Sequence, residues 1–255
     1  MPNWDPKQYE KFIKDRTQPA IDMANRLEAP TPAMILDLGC GPGNSTKVLK
    51  DKFPDAGIVG ADNSDEMLSK ARKTYPDLEF IHLDANGDLN ELSEQFDIVF
   101  SNACIQWLPD HRELLPKLMK LLKPNGILAV QIPLQAEHPV HIITGELVST
   151  ARWSDKLVLR KYNVLSTTEY FDILSDISSD FEIWETTYCQ RMQSYESIIE
   201  WYKGTGLRPY LEQLSETDTD EFVSDVYNEL KNRYTIQKNG EILFRFPRLF
   251  FIAEK

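Results

Sequence analysis

The chain has 255 residues, 42% hydrophobic and 27% charged, a globular composition long enough for one large core and a smaller attachment. Its 28 basic residues face 40 acidic ones, a net charge of −12. Partners that need clustered Lys and Arg, a phosphate backbone or an anionic membrane surface, are therefore disfavoured. No apolar run approaches the roughly 20 residues of a membrane span. The opening Met1-Pro2-Asn3-Trp4-Asp5-Pro6-Lys7 has neither the basic nor the apolar part of a secretory signal. Cys40, Cys104 and Cys189 are odd in number and widely spaced, so reduced thiols, no metal site and a cytoplasmic protein are expected.

In chain order, a helix is predicted over 18–27, with Ile21, Ala24 and Leu27 as its apolar stripe. From 34 to 133, apolar runs of strand length (34–38, 57–61, 78–83, 96–101, 126–132) alternate with amphipathic stretches at 45–52, 64–74 and 112–122. The last of these sets Leu114, Leu115, Leu118, Leu121 and Leu122 on one face. Such alternation predicts an α/β fold with a parallel sheet and right-handed crossovers. Beyond it come a mixed, partly helical excursion (135–161), a helix (167–174), a strand (181–190), a mostly helical polar segment (194–238) and a closing strand (241–253). Nothing resembles a linker or repeat. One domain is expected, with 135–161 and 194–238 inserted as a lid.

The strongest local signal is Asp37-Leu38-Gly39-Cys40-Gly41-Pro42-Gly43, where a buried strand ends in glycines before a helix. Glycines there let the backbone approach a ligand where side chains would clash. Position 44 is Asn, so the G-x-G-x-x-G dinucleotide pattern is broken, and no GK[ST] ending makes a P-loop. Asp62 closes the second strand, where a carboxylate can accept both hydroxyls of a ribose. Asp84-Ala85 closes the third, where a carboxylate and the next amide can meet an adenine. A carboxylate at a strand end also serves as a simple loop cap.

This set resembles the S-adenosylmethionine-dependent methyltransferases of the Rossmann-like class, whose D-x-G-x-G-x-G motif is present in full. Leu121-Leu122-Lys123-Pro124-Asn125-Gly126 is similar to that family's post-sheet signature. The resemblance implies S-adenosyl-L-methionine as cofactor and a seven-stranded sheet with its last strand antiparallel. It also implies a cofactor site made of Asp37, Gly39, Gly41, Gly43, Asp62, Asp84, Ala85, Asn102 and Arg16, with residues 1–30 covering it.

Further blocks are similar to the branch of this family that esterifies small polycarboxylic acids: Asn3-Trp4-Asp5-Pro6-x-x-Tyr9, Asn102-Ala103-x-x-Gln106-Trp107-Leu108-Pro109-Asp110-His111, Thr205-Gly206-Leu207-Arg208-Pro209 and Phe246-Pro247-Arg248-Leu249-Phe250. On composition alone, Arg208 and Arg248 would pair with structural acids. The resemblance makes them candidate clamps for substrate carboxylates, with Trp107 and Tyr9 as further contacts. Leu134-Gln135 stand where polar residues of the Asp-Asn kind are expected, and 156–161 align poorly, both in the lid. Locally, Trp107 reads equally as a core anchor, and Cys104 reads as a small buried thiol rather than a nucleophile. His138 and His141, separated by Pro139, read as surface residues, and His111 as a helix cap.

A carboxyl group of pKa about 4 is already ionised at neutral pH, so no general base is required. The expectation is a carboxyl methyltransferase that positions its reactants, with no catalytic side chain, no metal and no obligate protein partner. Transfer to another small organic acid or to a metabolite amine or hydroxyl, or cofactor binding without turnover, are the alternatives.

Overall fold

The computed structural model describes residues 13–29, 31–87, 89, 92, 95–160, 163–204 and 206–255, with the backbone alone for 13–16 and 137. Strands β1 (Met34–Leu38), β2 (Gly57–Asp62), β3 (Glu79–His82), β4 (Phe96–Asn102), β5 (Leu122–Pro133), β6 (Asp180–Met192) and β7 (Ile242–Glu254) form one seven-stranded sheet. Its order is β3-β2-β1-β4-β5-β7-β6. Pairings from β3 through β5 are parallel, and β7 runs antiparallel to β5, as the resemblance implies. The order reverses between β1 and β4, the place where open α/β sheets leave a crevice at their carboxyl edge.

Consecutive residues such as Ile98, Val99 and Phe100 are fully buried, so both faces of these strands are covered, which is why they read as unbroken apolar runs. α1 (Ile13–Arg26) precedes β1, and between the strands lie α2 (Asn44–Lys52), α3 (Asp65–Thr74) and α4 (His111–Lys120). The Ser64 hydroxyl caps α3 by accepting from the Met67 amide, with acids in its first turn and bases in its last. Asp110, rather than His111 as expected, caps α4.

His111 is instead buried at the start of that helix. Its Nε2 can only donate to the Ile105 carbonyl (2.8 Å), so its Nδ1 accepts from the Tyr170 hydroxyl (2.5 Å). That hydroxyl accepts in turn from the Leu165 amide. Desolvation holds the imidazole below its ordinary pKa, and it stays neutral.

The chain divides into two compact units. One comprises Thr17–Pro133, Asn163–Thr186 and Arg248–Lys255, and contains β1–β5 with α2–α4 and α6 (Thr167–Ile177). The other is built mainly from Leu134–Tyr162 and Thr187–Pro247. It holds α5 (Pro139–Val148), α7 (Tyr195–Lys203), the short α8 (Arg208–Leu211) and α9 (Glu216–Arg233). These pack around an aromatic core that includes Trp153, Tyr202, Tyr210, Phe222 and Phe244.

His138 and His141 belong to that core and not to the surface, a correction with a plain cause. Pro139 starts α5 instead of breaking a helix, since the first helical position needs no amide hydrogen. His138 caps it, its Nδ1 accepting from the Val140 amide (3.3 Å) and the Tyr202 hydroxyl (2.9 Å). His141 stands edge-on to Tyr202.

Burial, aided by the charge of Arg160, holds His141 down to about 4. The unfolded chain takes up a proton near pH 6.5 that the folded chain refuses until about 4. His141 stabilisation is therefore complete above pH 6.5 and declines toward pH 4, by roughly 3 kcal/mol. Urea unfolding between pH 7 and 4 should show a shallower acid limb in His141→Leu than in the wild type; an equal slope in both refutes the assignment.

Candidate active site

The carboxyl edge of the sheet is organised by the loop between β1 and α2. Gly39 has φ 75°, and a Cβ there would lie 2.2 Å from the Cβ and Sγ of Cys104. The Gly39 and Cys40 amides both donate to the Ala61 carbonyl, tying the loop to β2. Gly41, φ 53°, has nothing within 4 Å of where a Cβ would stand. This is the face on which a ligand can meet bare backbone. Gly43, φ 89°, caps α2 beside the rings of Tyr75 and Phe80.

Asp62 Oδ2 accepts from the Gly41 amide and its Oδ1 from the Ser64 amide, each at 2.9 Å. Each oxygen keeps acceptor capacity, so the carboxylate can shape the loop and still take ribose hydroxyls. Asp37 is placed differently from the expectation of a ligand contact. It is fully enclosed, and its Oδ2 accepts the hydroxyls of Ser45 and Thr46, both at 2.7 Å, which locks the first turn of α2 to β1. Desolvation, partly offset by those bonds, raises its carboxyl to about 6. Ionising it opposes folding between about pH 4 and 6, the opposite sign to His141. Ser45 and Thr46, which follow the glycine loop, carried no sequence signal of this role.

At the end of β3, Asp84 Oδ1 accepts from the Asn86 amide and side chain, each at 3.0 Å, closing an Asx turn. Ala85 borders a cavity of about 200 Å³ whose lining includes Leu108 and Pro109. Asn102 ends β4 half-buried, its Oδ1 enclosed with no hydrogen-bond partner among the described residues. Trp107, in the 3₁₀ turn Ile105–Trp107, is 45% exposed and is therefore no core anchor. Burial pushes the Cys104 thiol up to about 12, which leaves it unreactive.

The two arginines part company. Arg248 is 7% exposed on β7, paired through its backbone with Pro133 at the end of β5, and its Nη1 donates to Gln131 Oε1 (3.4 Å). Arg208 opens α8 in the other unit, partly exposed, with Nε on Glu212 Oε1 at 2.7 Å. Tyr9 lies outside the described residues, and of Arg16 only the backbone, within α1, is described.

Bare backbone at Gly41, spare acceptors on Asp62 and the buried Oδ1 of Asn102 fit a cationic adenosyl cofactor. Fold and loop define the class: an S-adenosylmethionine-dependent methyltransferase with a Rossmann-like sheet. A family model described as a methyltransferase domain matches residues 35–126. The YcgJ protein of Bacillus subtilis shares the fold, with TM-score 0.59 and 17% identity over 95% of this chain and 98% of its own. So does Haemonchus contortus phosphoethanolamine N-methyltransferase 2 in complex with S-adenosylhomocysteine, with TM-score 0.57 and 19% identity over 92% of this chain and 52% of that one. Far nearer in sequence is trans-aconitate 2-methyltransferase of Escherichia coli O157:H7 strain EC4115, 39% identical over the whole of this chain and 99% of that protein. The Shigella flexneri protein of the same name is 38% identical over the same extent. The chain belongs to the trans-aconitate 2-methyltransferase family.

The loop geometry separates two glycine variants. Gly39→Ala should lower the melting temperature by several degrees, because backbone strain adds to a collision with Cys104. Gly41→Ala has strain alone, about 1 kcal/mol, but puts a methyl group on the open face. It should keep the fold and weaken S-adenosylhomocysteine binding at least tenfold in calorimetric titration. Full-strength binding by Gly41→Ala would exclude that face as the cofactor's.

Proposed function

We propose that this chain transfers the methyl group of S-adenosylmethionine to a carboxylate of trans-aconitate, forming its monomethyl ester. The observation that carries the reading is Arg248: a guanidinium held at 7% exposure beside the carboxyl edge of β5, on the sheet that carries the glycine loop. A buried cation of this kind suits a multiply charged anion, and the full-length likeness to enzymes named for trans-aconitate supplies the acid's identity. Arg208, partly exposed, supports the reading less than the buried Arg248, which is the clamp in this proposal. Free thiols at Cys40, Cys104 and Cys189 favour a cytoplasmic setting.

When bound, the cofactor supplies a methyl group activated by a sulfonium. The chain's part is alignment and exclusion of water, because an ionised carboxylate needs no deprotonation. Asp62 and the Ala61 carbonyl hold the loop in shape. Arg248 grips a carboxylate that does not react; an ion pair on the attacking oxygen would blunt its nucleophilicity. His111, with both ring nitrogens engaged by Ile105 and Tyr170, fixes the turn after β4.

Incubation with methyl-labelled S-adenosylmethionine and trans-aconitate should yield label that base releases as volatile methanol. Base-stable label would instead identify an amine or hydroxyl acceptor. Arg248→Ala should raise KM for the acid roughly ten- to a hundredfold, the worth of a lost charged hydrogen bond, with S-adenosylhomocysteine affinity unchanged. Arg208→Ala should change KM a few-fold at most. Equal loss of cofactor affinity in Arg248→Ala would remove it as a clamp.

A further inference from the structure

Gln131 combines three observations that the fold itself does not require. It sits on β5 at the carboxyl edge, paired through the backbone with Asn102 of β4 on one side and Phe250 of β7 on the other. Its side chain is fully enclosed, yet it is an amide in a strand whose neighbours Leu128, Ala129, Val130 and Ile132 are all apolar and buried. Its Oε1 accepts from Arg248 Nη1 at 3.4 Å.

That last contact fixes the orientation of the amide. A guanidinium only donates, so the atom facing Arg248 must be the oxygen, and the NH₂ group turns the other way. There Nε2 is buried and has no hydrogen-bond partner among the described residues. Asn102 Oδ1, on the neighbouring strand at the same register, is likewise buried without a partner. A donor and an acceptor on cross-strand neighbours would pair with each other if their work were structural. Both are left open, and an unmade buried bond is costly unless a ligand makes it.

We infer that Gln131 is a specificity residue for the acceptor: its Nε2 donates to a carboxylate oxygen of the substrate beside the Arg248 guanidinium. The inference rests on the carboxyl-methylation reading above and adds to it. Gln131 Oε1 then has a second task, holding Arg248 in register so that both donors face one anion. A neutral amide next to a cation adds direction without adding charge, which suits an acid that must leave after a single esterification.

The test uses the full-length protein and three substitutions, Gln131→Met, Gln131→Asn and Gln131→Glu. Each is assayed for trans-aconitate kinetics and for S-adenosylhomocysteine affinity by calorimetry. Gln131→Met, of similar length but lacking the donor, should raise KM about tenfold, with kcat within a factor of two and cofactor affinity unchanged. Gln131→Asn, one methylene short, should behave alike. Gln131→Glu should raise KM beyond a hundredfold, because the introduced carboxylate repels the acid and occupies Arg248. Unmoved KM in any variant that binds S-adenosylhomocysteine normally overturns the inference. So does loss of cofactor binding in all three, since Gln131 would then serve the fold. A wild type that leaves trans-aconitate unmethylated overturns the underlying reading instead, and is seen before any variant is made.

Discussion

Asp62 receives the Gly41 amide on one carboxylate oxygen and the Ser64 amide on the other, while the Ala61 carbonyl takes the amides of Gly39 and Cys40. The end of β2 thereby dictates the path of the loop leaving β1, and Asp37 fixes the far side of that loop through Ser45 and Thr46. Positive φ at Gly39, Gly41 and Gly43 is the conformational consequence. A backbone pinned in this way has its open face at Gly41 formed before any ligand arrives, which lowers the ordering cost of binding.

The same anchoring sets the electrostatics. Asp62 disfavours the charge of the buried Asp37, and with burial the two carboxyl groups drive the thiols of Cys40 and Cys104 upward. A loop region of this sign suits a cation and repels a polyanion. Arg248 stands on β7, four strand positions from Asp62 in the order β2-β1-β4-β5-β7, or roughly 19 Å at about 4.8 Å per strand. The sheet edge is therefore electronegative toward β2 and cationic toward β7. In the proposed reading, a protein of net charge −12 holds an anionic substrate because the favourable charge is local and buried, where solvent screens it least.

Much of this was legible in the sequence, and the exceptions share a cause. Strands buried on both faces read as apolar runs, and the glycine loop is short-range, so β1–β5 and the loop could be placed from local pattern. Residues whose role depends on distant partners could not. His138 and His141 look polar and local, but their partners Tyr202, Phe244 and Phe246 lie about 60 to 110 residues further on. Asp37 looked like a ligand contact because its motif is, whereas its side chain turns inward onto hydroxyls eight and nine positions later. Arg208 and Arg248 had similar aromatic and proline neighbours, and only Glu212, one helical turn beyond Arg208, distinguished them in sequence.

Gln131 lacked even that signal, since an amide in an apolar strand is indistinguishable from a tolerated exception until its hydrogen bonds are counted. Its position bears on how the site balances grip against turnover. Two guanidiniums closing on one carboxylate would hold an anion tightly, but would hold the ester product's remaining carboxylates as tightly and slow its release. One guanidinium with an amide donor beside it gives direction at lower charge. The arrangement proposed at β5 and β7 is of the second kind: Gln131 Oε1 accepts from Arg248 Nη1, and the amide's Nε2 is left for the anion.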